Sequence, residues 1–107
     1  MNQGEVRWCT FTEPDHARQA VILTRDDSIS HLNTVTVAPI TSKRRGVLSR
    51  VAVDENDGLS EPLEVNARNL QTIPKRMVGA WISTLSSSRM REVNAAIAYS
   101  LGFDRYE

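Results

Sequence analysis

The stretch Thr34 to Gly46, TVTVAPITSKRRG, sets a hydroxyl pair and three consecutive cations directly after an alternating Thr/Val run. Alternation with a period of two is the pattern of a strand. Pro39 lacks the N–H that a sheet ladder needs, so pairing should end near it and leave Thr41 and Ser42 at the mouth of the sheet. Lys43, Arg44 and Arg45 then follow on a loop. A hydroxyl at such a place donates to a nonbridging phosphate oxygen while the cations neutralise its charge, which makes this stretch a candidate phosphate site. The competing reading is a Thr-rich strand that runs into a solvated loop.

Other chemistry has less support. His16 and His31 lie fifteen residues apart with no carboxylate at ligand spacing, and Cys9 is the one cysteine, so neither a metal site nor an intrachain disulfide is expected. No GxSxG, Gly-rich phosphate loop or zinc-protease motif occurs, and no cofactor is implied. Thirteen basic residues balance thirteen acidic ones, so net charge selects no partner. Their distribution is uneven: Lys43, Arg44, Arg45 and Arg50 fall in a stretch without acids, and Asp54, Glu55, Asp57, Glu61 and Glu64 in one without bases. Arginine supplies eleven of the thirteen cations, and its planar fork suits two-bond grips on phosphate or carboxylate.

Positioning these residues falls to short apolar runs separated by Gly, Pro, Asn and Asp: Val6 to Phe11, Ala20 to Leu23, Thr34 to Ile40, Val47 to Val53 and Leu63 to Asn66. Their spacing predicts an antiparallel sheet or small barrel. The continuously apolar Ala20-Val21-Ile22-Leu23 suits a strand covered on both faces, whereas the alternation from Val47 to Val53 suits a half-exposed one. Pro74 ends the run Leu70 to Ile73, and Met77 to Leu85 reads as one more strand. Ser86 to Ser88 then offer caps for a helix with Met90, Val93, Ile97 and Leu101 on its apolar face and Gly102 as its stop. At 107 residues the chain is expected to be a single domain spanning 1–107 that folds without staples. No apolar run approaches the ~20 residues of a membrane span, and the first residues lack a secretory pattern, so a soluble, cytoplasmic protein without membrane contact is expected.

Six blocks then agree in order and spacing with one family: GEVRWCTF near the start, RQAVILTRD from Arg18, VAPITS from Val37, DGL at Asp57, LQTIP at Leu70, and LSSSRMREVNAAIAYSLG up to Gly102. Over nearly its whole length the chain resembles the MazF/PemK toxins. The resemblance implies a mainly β fold, an SH3-like antiparallel β-barrel of the MazF/Kid/CcdB type with a C-terminal amphipathic helix. It implies a homodimer, the toxin of a type II toxin-antitoxin system, inhibited by a cognate MazE-like antitoxin. The implied activity is metal-independent cleavage of single-stranded RNA, commonly mRNA, by attack of a 2'-hydroxyl on the adjacent phosphorus. By position, the family's essential arginine matches Arg18, its essential threonine Thr41, and the glutamate of its opening block Glu5. Arg18 and Thr41 would stabilise charge on the phosphate, because a guanidinium stays protonated at neutral pH and is a poor acid. The base is left open among Glu5, His16 and an aligned 2'-hydroxyl without a dedicated base. Ser42, Lys43, Arg44, Arg45, Arg25 and His16 are the expected RNA contacts, whereas Trp8 and Trp81 are expected in the core or a dimer interface.

Three departures from the family pattern stand out. Gln19 replaces the proline after the essential arginine, Arg68 stands in VNARN where relatives often carry an acid, and the loop Glu13 to Ala17 is short. They keep two alternatives in view: a CcdB-like gyrase poison on the same fold, and a silent member that binds RNA or antitoxin without cutting.

Overall fold

The computed structural model describes residues 1–11 and 17–106. Seven strands form one antiparallel sheet: β1 Glu5–Thr10, β2 Ala17–Ile22, β3 Thr34–Thr41, β4 Arg50–Val53, β5 Leu63–Asn66, β6 Gln71–Pro74 and β7 Val78–Thr84. Two helices, α1 Asp26–Ile29 and α2 Ser87–Leu101, and three short 3-10 turns complete the described residues. The strand order is β4-β5-β3-β2-β1-β7, with β6 beside β3. The architecture is therefore the mainly antiparallel β fold with a C-terminal helix that the sequence predicts.

β3 has three partners. Its first half pairs with β6, from Thr34↔Pro74 to Val37↔Gln71. Its middle pairs with β2 at Val37↔Ile22, Ala38↔Val21 and Pro39↔Ala20. Its last two residues turn to β5, at Ile40↔Val65 and Thr41↔Glu64. The β2 ladder thus stops at Pro39, where the missing N–H cannot extend it. On its other edge β2 keeps pairing with β1 as far as Cys9↔Arg18 and Thr10↔Ala17.

Both faces of β2 are covered, as its unbroken apolar run predicts. Val21 joins Val6, Ala38, Ile40, Val51, Val53, Val65, Val93 and Ala96 in one buried cluster. Ala20 and Ile22 join Cys9, Ile29, Val35, Val37 and Ile73 in the other. Complete burial of a valine such as Val6, Val21 or Val93 contributes roughly 1.5–3 kcal/mol. α2 closes the first cluster and packs on β4. The Ser86 hydroxyl caps it by accepting the Arg89 N–H at 3.1 Å, and Gly102 ends it at φ 77°, a left-handed turn that suits glycine.

The structure departs from the sequence reading at several points. β4 begins at Arg50, because Val47 and Leu48, 48% and 70% exposed, lie in the preceding loop. α2 buries Val93 and Ala96 and half-buries Met90 and Ile97, but Leu101 is exposed. Pro74 closes β6 opposite Thr34 instead of following the strand. Trp8 and Trp81 are 41% and 57% exposed, so neither belongs to the core. Their neighbours Cys9 and Ile82 point inward, and alternation turns the indoles out. Among the described residues no helix is long and apolar enough to cross a membrane.

Gln19, paired across from Trp8, carries a buried Oε1 with no hydrogen-bond partner. An orphaned buried carbonyl costs about 1–3 kcal/mol. Gln19→Met keeps the length and removes the orphan, so urea denaturation should show a stability gain of about 1 kcal/mol; a loss would mean that the amide is bound after all.

Candidate functional site

Past Pro39 the chain builds a cavity. Extending the β2–β3 register two residues beyond Ala20↔Pro39 sets Arg18 opposite Thr41, but no ladder joins them there. The strands part, and a cavity of about 320 Å3 opens, lined by Arg18, Pro39, Ile40, Thr41, Ser42, Asn66 and Asn69. Among the described residues no acidic one lines it. Thr41 Oγ1 accepts the Lys43 N–H at 3.2 Å, which fixes the hydroxyl and leaves its proton to donate. Arg18 is exposed and has no acidic partner among the described residues. A guanidinium, two hydroxyls and two amides around this space make it a candidate anion site.

The basic loop beside it is held by its backbone. Glu64, only 4% exposed on β5, accepts the Arg45 N–H at 2.9 Å and the Gly46 N–H at 3.1 Å, one on each carboxylate oxygen. Arg50 donates from Nη1 to the Lys43 carbonyl at 2.9 Å and stands 3.9 Å from Glu64. Gly46 adopts φ 63° with no atom near a built Cβ, so its conformation and not space demands glycine. The Lys43, Arg44 and Arg45 side chains are therefore left exposed beside the cavity. Arg50 and Glu64, which the sequence displays only as opposite ends of a charge switch, are what anchor the loop.

Of the remaining expected site residues, Ser42 joins Arg18 and Thr41 in the cavity. Glu5 does not. It is 8% exposed and ion-paired to Arg7 at 2.7 Å, and Arg7 in turn donates to the Gly79 carbonyl at 2.9 Å. Val6↔Val21 sets Glu5 four residues along the ladder from Cys9↔Arg18, roughly 13 Å at the rise of a strand. Arg25 follows the opposite end of β2 from Arg18 and pairs with Asp27 at 3.0 Å, both exposed, so it does not extend the Lys43–Arg45 track. His16, with the loop 12–16, lies outside the described residues. Among those described, no three His, Cys, Asp or Glu residues gather as a metal site. Asn66 and Asn69 are site residues that sequence reasoning missed; the VNARN block held both, beside the charge reversal at Arg68.

Cys9 lies opposite Arg18 and is fully buried. Burial pushes its thiol from 9.0 up to about 11, against a smaller opposing pull from the Arg7 cation.

A small antiparallel sheet with a cationic, hydroxyl-bearing cavity at the end of a strand pair defines a compact β domain with a candidate anion site, and three comparisons say which family it belongs to. Residues 2–101 match the family model of the PemK-like, MazF-like toxin of type II toxin-antitoxin systems. Endoribonuclease MazF3 of Mycobacterium tuberculosis (strain CDC 1551 / Oshkosh) is 41% identical over 90 residues, 84% of this chain and 87% of that protein. The solved Mycobacterium tuberculosis toxin MazF-mt6 superposes with a TM-score of 0.84 at 37% identity, covering 92% of this chain and 96% of that one. A mycobacterial endoribonuclease in complex with its cognate antitoxin gives a TM-score of 0.84 at 26% identity, covering 95% of each chain. The chain belongs to the PemK-like, MazF-like toxin family.

Two outcomes follow from this geometry. In Glu64→Gln the amide accepts through one oxygen only, so one loop N–H loses its partner; stability should fall by about 1–3 kcal/mol in urea titrations, with faster hydrogen exchange at Arg45 or Gly46. Unchanged exchange at both amides would remove Glu64 as the anchor. For Cys9, the raised folded value favours the neutral thiol, so its stabilisation is complete below pH 9 and lost as pH climbs through about 11. At pH 8 the native thiol should react with iodoacetamide at least about 100-fold more slowly than in urea, the two-unit shift alone giving that factor.

Proposed function

We propose that this protein is the toxin of a type II toxin-antitoxin system and an endoribonuclease that cleaves single-stranded RNA without a metal. The observation that carries the reading is the meeting of Arg18 and Thr41, from two different strands, in one cavity that no described acid lines. Membership of the family and relatives named endoribonucleases support the same reaction. In it, the 2'-hydroxyl oxygen bonds to the adjacent phosphorus and the bond from phosphorus to the 5'-oxygen breaks. The products are a 2',3'-cyclic phosphate and a 5'-hydroxyl. The proton leaves the 2'-oxygen for solvent, and one returns to the departing 5'-oxygen.

Arg18 and the Thr41 hydroxyl stabilise the extra negative charge on the nonbridging oxygens, the step where fixed donors count most. Ser42 adds a hydroxyl, and Lys43, Arg44 and Arg45 draw in the flanking phosphates. Glu5, committed to Arg7 and four residues along β1 from the Cys9–Arg18 pair, serves to hold β1 against β7 instead of moving a proton. The chain acts as a cytoplasmic homodimer, restrained by a cognate antitoxin as its mycobacterial relative is in complex with one.

Purified protein, freed of antitoxin and treated with EDTA, is incubated with a random single-stranded RNA pool and the new 5' ends are sequenced. Cuts at one short motif are expected, and Arg18→Ala and Thr41→Ala should each slow them by about 10- to 1000-fold. A folded, dimeric wild type that leaves the pool uncut would overturn the reading, and a fully active Thr41→Ala would overturn the site.

A further inference from the structure

A second cavity, about 280 Å3, adjoins the first and is lined by Arg45, Val47, Ser49, Arg50, Asn66 and Arg68. Asn66 lines both. Three guanidinium-bearing residues surround this space and, among the described residues, no acid does. Arg50 is already engaged with the Lys43 carbonyl, but the Arg45 and Arg68 guanidinium groups have no partner among the described residues. Ser49 lines the cavity, and its hydroxyl makes no hydrogen bond to another described residue. Asn66 Oδ1 accepts the Arg68 N–H at 3.1 Å, which leaves the two Nδ2 protons unused.

The three segments that form the cavity are stitched together through their backbones. Glu64 holds Arg45 and Gly46, the Ser49 carbonyl accepts the Ala67 N–H at 3.0 Å, and Asn66 holds Arg68. Two cations and an unpaired serine hydroxyl at the cavity wall, anchored at fixed positions with no acid lining the space among the described residues, are arranged for an anion that these residues do not themselves supply.

We infer that Arg45 and Arg68, with Ser49 and Asn66, form a second phosphate site that takes a phosphate neighbouring the scissile one on the same RNA strand. The inference rests on the nuclease reading. It gives the charge reversal at position 68 a role: this cavity grips the RNA backbone, and the strand passes from Arg18 across Asn66 toward Arg68. Such a contact strengthens binding to every sequence alike, since phosphates carry no base identity.

The test uses uncleavable 2'-O-methyl decamers of U, C and A, with affinity read by fluorescence anisotropy across a salt series. Arg68→Gln and Arg45→Gln should each weaken all three decamers by about fivefold or more, the equivalent of roughly 1 kcal/mol. Each should also lower the slope of log affinity against log salt by about 0.7, the share of one phosphate on a single strand. Arg91→Gln, exposed on α2, controls for net charge and should leave the slope unchanged. Unchanged affinity and slope in both variants would overturn the site, and so would a loss confined to one base, which would make Arg68 a base reader. The pool-cleavage assay separates the two readings. A wild type that cuts RNA while Arg68→Gln changes nothing loses this site alone, and one that neither cuts nor binds loses both.

Discussion

One absent hydrogen-bond donor governs this site. Had β2 and β3 continued to pair beyond Pro39, Arg18 and Thr41 would stand as an ordinary cross-strand pair, with Cβ atoms about 4.5–5.5 Å apart and a ladder filling the space between them. Proline ends the ladder and β3 takes β5 for its last two residues, so the two side chains keep their alignment while their strands separate. Register supplies the aim and the broken ladder supplies the room. A slip of one residue in either strand would send Arg18 or Thr41 to the opposite face.

Charge is sorted around that opening. Among the described residues, two acids of the sheet are turned inward or spent elsewhere: Glu64 grips backbone N–H groups of the basic loop, and Glu5 binds Arg7. Farther off, Asp57 and Glu92 both bind Arg89 at the start of α2, with Asp57 also closing the capping box of the turn that follows β4. A chain with equal numbers of acids and bases thereby presents, among its described residues, a cationic face without acids beside the cavity. Neutralising the loop through its backbone, not its side chains, leaves its cations available to a ligand while still paying the cost of ordering the loop.

The strands and the helix were legible because their signals are local: period-two alternation in β3, an unbroken apolar run in β2, and a serine cap and glycine stop around α2. Pro39 was legible as the end of a ladder for the same reason. What escaped was tertiary. Alternation from Val47 suggested a strand three residues longer than β4, because nothing local reveals that Glu64 pulls the preceding backbone into a loop. The two tryptophans were expected in the core or a dimer interface, and their strand phase rules out the core by turning them to the surface. Asn66 and Asn69 are ordinary turn residues until β5 is laid beside the end of β3, and the distance of Glu5 and Arg25 from the cavity is visible only once the ladders fix which ends of the strands meet.

The order in which those ladders become available during synthesis matters as well. β3 lacks its β5 and β6 partners until residues 63–74 have been made, and the outer edge of β1 is left bare until β7 arrives to pair Glu5 with Thr84. Chains emerge from the ribosome N-terminal end first, and non-local pairings of this kind form late and slowly. Arg18 and Thr41 leave the ribosome well before the residues that hold their strands in register. The nascent chain therefore leaves the ribosome with Arg18 and Thr41 still unassembled, and the cavity comes into being only when most of the chain has been released from the machinery that made it.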